Sequence, residues 1–500
     1  MTHFAGQILE EAARREGDRP LWCDARAGRW YSARELARWA ARIAGGLRTE
    51  GVAPGMRVGL CAEASGAYVA AFFGALRAGA TVVPFSTRSV PVEIARRADA
   101  SGVRHLVCDG ATQATCREAA ALSEASVRPK PLRLDALSGP PLQGEVPPAG
   151  DALLLFTSGT VARPRAVRIP HRSLVVHTGH LARHALPLGR EDVLLCALPL
   201  SHSFGARLVM LLALATGARV VCLPRFDPEE SLEAARRHRV TWIPAVPTLL
   251  SDLAEAAQAP LPDLRGCLSA GAPLPGAVAE TARQRLGAPV RQGYGLTEAS
   301  FSALDAPPLP PVPASVGRPV HGVEIRIVSP NGEVLRPGQT GEIHIRGPHL
   351  CSGYESDGHL EPATDAHGFL HTGDVGRFDE SGRLYVVDRL KDVILRGGYT
   401  VYPSLVESVL CEHPAVAAAA VVGAPDTRLG EEVVAFVVLR RRAAVSAPDL
   451  LAWCGRRIGA HLCPREVHFV DALPVGPSGK VQRRTLRARL GEKVSAAKGP

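Results

Sequence analysis

The sequence predicts an α/β protein. A large N-terminal domain of two α/β sheet subdomains plus a small β-barrel-like subdomain is followed by a small α+β C-terminal domain. Three observations carry this. Between Arg57 and Glu298, short apolar runs alternate with amphipathic stretches, the rhythm of a parallel sheet covered by helices. At Pro307-Pro308-Leu309-Pro310-Pro311 the pattern changes to short alternating strands punctuated by Gly and Pro. After a polar, Gly-rich segment at 388–403 the chain takes up a third, mixed pattern, which sets a boundary near Lys391 and domains of 1–390 and 391–500.

Composition narrows the class. A chain of 500 residues exceeds what one hydrophobic core organises, so more than one domain is expected. The net charge of +9 comes mainly from arginine, with clusters at Arg440-Arg441-Arg442 and Arg483-Arg484. No aromatic residues interleave with these clusters as stacking platforms, so a nucleic-acid partner is not expected. The 11 cysteines are scattered, odd in number and without a C-x-x-C pair. That argues against a disulfide framework and a structural zinc site, and fits a reducing, cytoplasmic setting. The first residues lack a signal-peptide core, and the longest apolar run, Leu208 to Ala215, is well short of the ~20 residues of a membrane span.

Taken in order, residues 5–48 read as helical, with Leu36, Trp39, Ile43 and Leu47 on one face. Strands follow at Val58–Cys61, Thr81–Pro84 and His105–Cys108, separated by helices from Tyr68 and from Val92. Residues 125–151, rich in Pro, Ser and Gly, read as a connecting loop. The second subdomain has strands at Val193–Leu198, Arg219–Leu223, Val240–Val246, Gly266–Ala270 and from Pro289, with helices between them and a buried helix over Ala206–Ala215. In the last domain helices begin near Ser404 and Pro448, with strands at Val416–Val422 and Glu432–Leu439.

The run Leu153 to His171 contains the first chemical signal. An apolar strand empties into Thr157-Ser158-Gly159-Thr160, followed by Arg163 and Arg165. Hydroxyls, close backbone N–H groups and guanidinium groups suit a polyphosphate, although a polar surface turn has the same composition. Downstream segments give the loop its context: LPLSHSFG (198–205), SAGAPLP (269–275), QGYGLTE (292–298), GEIHIRG (341–347), HTGD (371–374), DRLKDVILRGGYTVYP (388–403), VVGAPD (421–426) and PSGKVQRRTL (477–486). With FTSGT (156–160), these segments resemble, in order, the motifs of the adenylate-forming superfamily, which includes acyl-CoA synthetases, aryl-CoA ligases, peptide-synthetase adenylation domains and beetle luciferases.

The resemblance implies an AMP-binding domain and a mobile C-terminal lid that turns about Lys391 between two states. It implies ATP and Mg²⁺ as cofactors, with coenzyme A as co-substrate. Lys480 is similar to the lysine that bridges the acid carboxylate and the α-phosphate, whose mutual repulsion otherwise opposes reaction. Tyr294 corresponds to the ring against adenine, with Gly293 and Gly295 allowing close approach and Gly271, Ala272 and Pro273 forming the other wall. Thr297 corresponds to the α-phosphate contact, Glu298 to the Mg²⁺ ligand, Asp374 to the ribose-binding carboxylate and Arg389 to the ribose and phosphate contact. Gly397, Gly398 and Tyr399 match the face lining the thiol tunnel. Pro474 and Val481 exclude a Walker A loop around Lys480.

The phosphate loop departs from the family pattern. Val161 stands in place of a hydroxyl residue, Ala162 and Ala166 replace glycines, and Arg165 replaces a lysine. Arg165 keeps the charge. Val161 loses a hydrogen bond worth about 0.5–1.5 kcal/mol, and Ala162 costs roughly 1–2 kcal/mol if the backbone there is left-handed. A weakened grip on pyrophosphate is the expectation. Asp388, in place of a glycine before Arg389, has no assigned consequence.

His202 falls where the family has an aromatic or histidine beside the acyl pocket, either gating it or polarising the carboxylate; a structural histidine is the alternative. Phe204, Val246, Ala270 and Gly271 complete a small apolar pocket suited to an aliphatic or aryl acid. No aspartate near Val240–Val246 is available for a substrate ammonium, while Arg207 or Arg225 leaves a dicarboxylic acid open. The expected reaction is acid activation followed by transfer to coenzyme A. Transfer to a carrier protein or an amine, and a non-catalytic ATP-binding relative, are the alternatives. A monomer or homodimer is expected.

Overall fold

The computed structural model describes residues 4–142, 146–156, 165–356, 358–397, 399–459, 461–476 and 481–496. Four sheets organise them. In the first, the strands run in the order His359–Pro362, Gly353–Ser356, Ala166–Ile169, Leu153–Phe156, Thr81–Pro84, Arg57–Cys61, His105–Cys108 and Lys130–Arg133. From Leu153–Phe156 to Lys130–Arg133 all neighbours are parallel. The other edge is antiparallel.

The second sheet has the order Arg318–Pro319, Ser300–Leu304, Val290–Leu296, Gly266–Ala270, Trp242–Ala245, Val193–Cys196, Arg219–Cys222, Pro20–Asp24 and Arg29–Ser32. Apolar residues of both sheets, among them Val58, Val82 and Leu153 from one and Leu194, Val220 and Trp242 from the other, share a single core. The helices Ala33–Thr49 and Gly66–Arg77 contribute Leu36, Ile43, Phe72 and Phe73 to it. Strands buried on both faces need continuous apolar runs, which is why Leu153–Phe156 and Thr81–Pro84 were legible.

The N-terminal helical reading is corrected. Residues 5–48 form two helices, Gln7–Glu16 and Ala33–Thr49, separated by the hairpin of Pro20–Asp24 and Arg29–Ser32. Gly17 ends the first helix at φ +60°, and Pro20 cannot continue it. The second helix starts at a capping box: Ser32 accepts from the Glu35 N–H at 3.1 Å, and Glu35 accepts from the Ser32 N–H at 2.7 Å. The 125–151 stretch likewise contains an element of its own, the edge strand Lys130–Arg133. The buried helix expected from Ala206 opens as a π-helix, Phe204–Leu211, and continues as Leu212–Thr216.

The β-rich segment is an open antiparallel sheet rather than a closed barrel: Glu324–Val328, Gly341–Arg346, Leu370–Phe378 and Leu384–Arg389. Its outer strand carries the exposed ion pairs of Glu324 with Arg326 and Arg346, charges that blunt an open edge. Gly353–Ser356 and His359–Pro362 leave this segment to extend the first sheet. After the 3₁₀ turn Leu390–Asp392 the chain enters the fourth sheet, in which Ile394–Arg396 and Val416–Asp426 flank Gly430–Leu439. Asp388 joins the two parts: it accepts from the N–H of Ser404, at the start of the helix Pro403–Cys411, at 2.8 Å. No helix among the described residues is long and apolar enough to cross a membrane.

Candidate active site

The carboxyl ends of parallel strands are where open α/β sheets bind ligands. Gly266–Ala270 and Val290–Leu296 end side by side, with Ala270 paired to Gly293. Gly271 leaves the first of these strands at φ +87°, a left-handed backbone that explains the glycine. Ala272 and Pro273 follow it on the surface.

Val290–Leu296 turns through Thr297-Glu298-Ala299 into the antiparallel Ser300–Leu304. The two glycines around Tyr294 are required by this hairpin itself. A Cβ on Gly293 would lie 2.4 Å from the Phe301 ring, and one on Gly295 would lie 2.0 Å from the Ser300 carbonyl oxygen. The sequence suggested room for a nucleotide; the structure adds room for the neighbouring strand.

Tyr294 is buried, and its hydroxyl donates to Asp374 Oδ2 at 2.7 Å. Asp374 is 4% exposed, and its Oδ1 lies 3.1 Å from Arg389 Nε. A bulge aims this aspartate. Glu342 pairs with Val375 and His344 with His371, so Thr372-Gly373-Asp374 opposes Ile343 alone. The bulge is tied at each residue: Thr372 Oγ1 donates to the Ile343 carbonyl at 2.7 Å, the Gly373 N–H to Glu342 Oε1 at 3.0 Å, and the Asp374 N–H to Thr372 Oγ1 at 3.0 Å.

Glu298 is half-buried in the turn. Its carbonyl accepts from the Cys351 N–H, and its Oε1 accepts from the Tyr354 hydroxyl at 3.1 Å. Arg165 lies over the Tyr354 ring at 4.5 Å and also pairs with Glu361. A chain of contacts thus runs from the end of the phosphate loop through Tyr354 to Glu298. An oxygen-donor carboxylate with one oxygen fixed suits a hard cation such as Mg²⁺.

Arg207, in the π-helix, is fully buried and donates to the carbonyls of Thr297 and His349 at 3.4 Å each. Among the described residues no carboxylate pairs with it. Burial pushes it down to about 10, so it remains a cation at neutral pH. Beside it the imidazoles of His177 and His349 stack with centroids 5.1 Å apart, and His349 Nε2 lies 3.0 Å from Ser302 Oγ. Burial and the Arg207 charge push His349 down to about 3. Arg225 is elsewhere, on an exposed surface with Glu63.

Phe204 packs edge-to-face on Phe301 at 5.3 Å and against the cluster that includes Ala270. Val246 lies 3.6 Å from the Cβ position of Gly271. His202 is half-buried in the turn ahead of the π-helix, where its carbonyl accepts from the Ala206 N–H. Lys391 is exposed in the 3₁₀ turn between the third and fourth sheets, and Gly397 (φ +57°) follows Ile394–Arg396. Thr157, Ser158, Gly159 and Thr160 of the phosphate loop, Val161, Ala162, Gly398 and Lys480 lie outside the described residues. The sequence reading missed Tyr354, which lies in none of the recognised segments, and Glu342, which lies in GEIHIRG without an assigned role; both matter through contacts made in the fold.

Comparison with known proteins gives the family. Residues 9–355 match the family described as AMP-binding enzyme, and residues 405–480 match the AMP-binding enzyme C-terminal domain. The chain is 35% identical over 463 residues to a feruloyl-CoA synthase from an Amycolatopsis species, covering 91% of this chain and 93% of that one. It is 32% identical to 4-coumarate–CoA ligase 5 of Oryza sativa subsp. japonica, with 98% and 95% covered. The amide bond synthetase McbA from Marinactinospora thermotolerans superposes with a TM-score of 0.87 at 32% identity, over 97% of this chain and 99% of that one. With both parts of the chain matched, and relatives aligned along nearly its whole length, the protein belongs to the AMP-binding enzyme family of adenylate-forming ligases.

Proposed function

We propose that this enzyme activates an aryl carboxylic acid of the hydroxycinnamate class with ATP and transfers the acyl group to coenzyme A. The observation that carries the reading is the meeting of Tyr294, Asp374 and Arg389 beside the Thr297-Glu298 turn. It joins a nucleoside-binding carboxylate to a phosphate- and cation-binding turn at the ends of two parallel strands. The aryl acid is supported by the relatives, whose names specify feruloyl and 4-coumarate, and by the apolar packing of Phe204 and Ala270, with Val246 beside Gly271.

In the first half-reaction an oxygen of the acid attacks the α-phosphorus of ATP. The bond to pyrophosphate breaks and an acyl-adenylate forms. Two anions must approach for this, a repulsion of about 4 kcal/mol at 4 Å in an effective dielectric of 20. Arg207 opposes it with a buried positive charge behind Thr297, and Lys480 offsets it by bridging carboxylate and phosphate. Thr297 contacts the α-phosphate, Asp374 accepts the ribose hydroxyls, and Arg389 steadies ribose and phosphate. Tyr294 and the Gly271-Ala272-Pro273 turn wall the adenine. Thr157, Ser158, Gly159, Thr160 and Arg165 hold the outer phosphates, and Glu298 holds Mg²⁺, which neutralises phosphate charge when bound.

In the second half-reaction the thiol of coenzyme A attacks the acyl carbonyl, AMP leaves, and the thiol proton passes to solvent. The domain of residues 391–500 turns about Lys391 between the two steps, presenting Lys480 for the first and Gly397-Gly398-Tyr399 for the second. His202 orients the carboxylate at the pocket mouth. A second reading, transfer to an amine, is favoured by the likeness to McbA.

An acid panel tests this. Aryl acids should release pyrophosphate from ATP, and added coenzyme A should give a thioester detected by mass. Pyrophosphate with amide formation and no thioester replaces coenzyme A by an amine; with neither product, a carrier protein becomes the acceptor to test. No release by folded, ATP-binding protein overturns the enzymatic reading. Lys480→Ala should abolish adenylate formation while leaving conversion of supplied acyl-adenylate to thioester largely intact.

A further inference from the structure

We propose that Glu342, His344 and His371 form a binding site for a divalent ion of the zinc class, separate from the nucleotide site. One donor atom from each of the three lies within 4.8 Å of the others. Secondary structure brings them together. Glu342 and His344 are two apart on the strand Gly341–Arg346 and so project from the same face. His344 is paired across the antiparallel ladder with His371, which sets their Cβ atoms about 4.5–5.5 Å apart. The two imidazoles lie face to face, with centroids 3.9 Å apart and planes 18° from parallel, so one ring turns about its side-chain bonds to bring both in-plane lone pairs onto one ion.

Two of the three side chains, His371 and Glu342, are already oriented by a contact outside the set, as metal-binding side chains are. His371 Nε2 lies 3.0 Å from Asp365 Oδ2. Asp365 is held in turn by the N–H groups of His367 and Phe369 at 2.8 and 2.9 Å. Glu342 accepts the Gly373 N–H through Oε1, while its Oε2 lies 3.2 Å from His344 Nε2. An ion between Glu342 and His344 takes the place of that last hydrogen bond.

The donor set selects the ion. Two imidazoles and one carboxylate suit Zn²⁺, Ni²⁺ or Cu²⁺ rather than Mg²⁺ or Ca²⁺, which prefer oxygen alone. Three protein ligands leave a position for water, and His371, half-exposed, gives solvent access. None of the scattered cysteines takes part. The site sits on the two strands whose bulge carries Asp374, so an ion there cross-braces that bulge from its outer side.

The test uses the full chain stripped with a chelator and titrated with Zn²⁺ by calorimetry without nucleotide, so that it stands apart from the catalytic reading. One ion should bind and raise the melting temperature. His344→Ala and His371→Ala should each weaken binding at least tenfold, and Glu342→Gln, which keeps the shape and a hydrogen bond to Gly373, several-fold. His184→Ala, in the separate group of His180, His184 and His321, should leave it unchanged. Wild-type affinity in both His344→Ala and His371→Ala overturns the proposal. So does a loss confined to His184→Ala, or no binding by the wild type.

Discussion

The Tyr294 hydroxyl donates a 2.7 Å hydrogen bond to Asp374, across the junction between the nine-stranded sheet and the small antiparallel sheet. The carboxylate is buried and Arg389 holds its other oxygen, so its direction is fixed from two sides. Burial and the Asp374 charge push the Tyr294 phenol well above its usual value, which keeps it a proton donor throughout the working pH range.

Tyr294→Phe should therefore weaken nucleotide binding without removing any group that touches the acyl chain. A hydrogen bond to a charged group is worth about 1.5–3 kcal/mol, so the ATP KM should rise roughly 10-fold or more. The KM for the acid should move little. Steady-state kinetics with each substrate varied in turn checks this, and an unchanged ATP KM would dissociate the Tyr294–Asp374 bond from nucleotide binding.

Tyr354 plays a comparable part for Glu298. Its hydroxyl fixes one carboxylate oxygen, and its ring carries the Arg165 guanidinium at 4.5 Å. Tyr354→Phe frees the carboxylate to rotate while keeping the ring under Arg165. The Mg²⁺ concentration giving half-maximal pyrophosphate release should rise several-fold, with full rate recovered at saturating Mg²⁺. Glu298→Gln, which removes charge from the proposed Mg²⁺ ligand itself, should not be rescued in this way.

These contacts show which parts of the molecule sequence could reveal. Elements buried on both faces were legible, because Leu153–Phe156 or Val193–Cys196 must be apolar throughout. The break at Gly17 was not: the apolar spacing of Ala33–Thr49 hid a hairpin joined to a sheet far along the chain. Motif residues were legible as types, yet their partners were not. Tyr354 is 56 residues from Glu298, and Asp374 is 80 from Tyr294. Asp388 carried no consequence in sequence because its acceptor role exists only once Ser404 is folded against it. Pairings of this kind join one sheet to another, or a strand to a helix, so they exist only once those elements have packed together.

Gly295 gives a prediction of stability as well as activity. A methyl group there would stand 2.0 Å from the Ser300 carbonyl oxygen, and backbone, unlike a flexible side chain, cannot step aside. Gly295→Ala should part the hairpin that holds Thr297 and Glu298. Overpacking of this kind costs about 1–3 kcal/mol, so the melting temperature should fall and ATP-dependent activity should fall further still. Ala303→Gly, on the partner strand, should lower stability without the same loss of activity. A Gly295→Ala enzyme with normal melting and normal ATP KM would mean that the two strands approach less closely than this.

Acid should destabilise the protein through the buried histidines behind Thr297. His349 is pushed from 6.5 down to about 3, first by burial and then by the Arg207 cation, and His177 is lowered by the same causes with His349 itself. An imidazole whose folded value lies below its unfolded one binds a proton more readily when the chain unfolds. Its contribution is therefore complete above pH 6.5 and is lost as pH falls toward 3. At pH 5.5 one such ring removes about 1–2 kcal/mol, which should appear as a lower urea midpoint than at pH 7.5. His349→Gln retains a partner for Ser302 but cannot take up the proton. It should be less stable than the wild type at pH 7.5, and the difference between the two should narrow at pH 5.5. Parallel midpoints for the two proteins across this range would show that the His349 ring is already protonated, or open to water, beside Arg207.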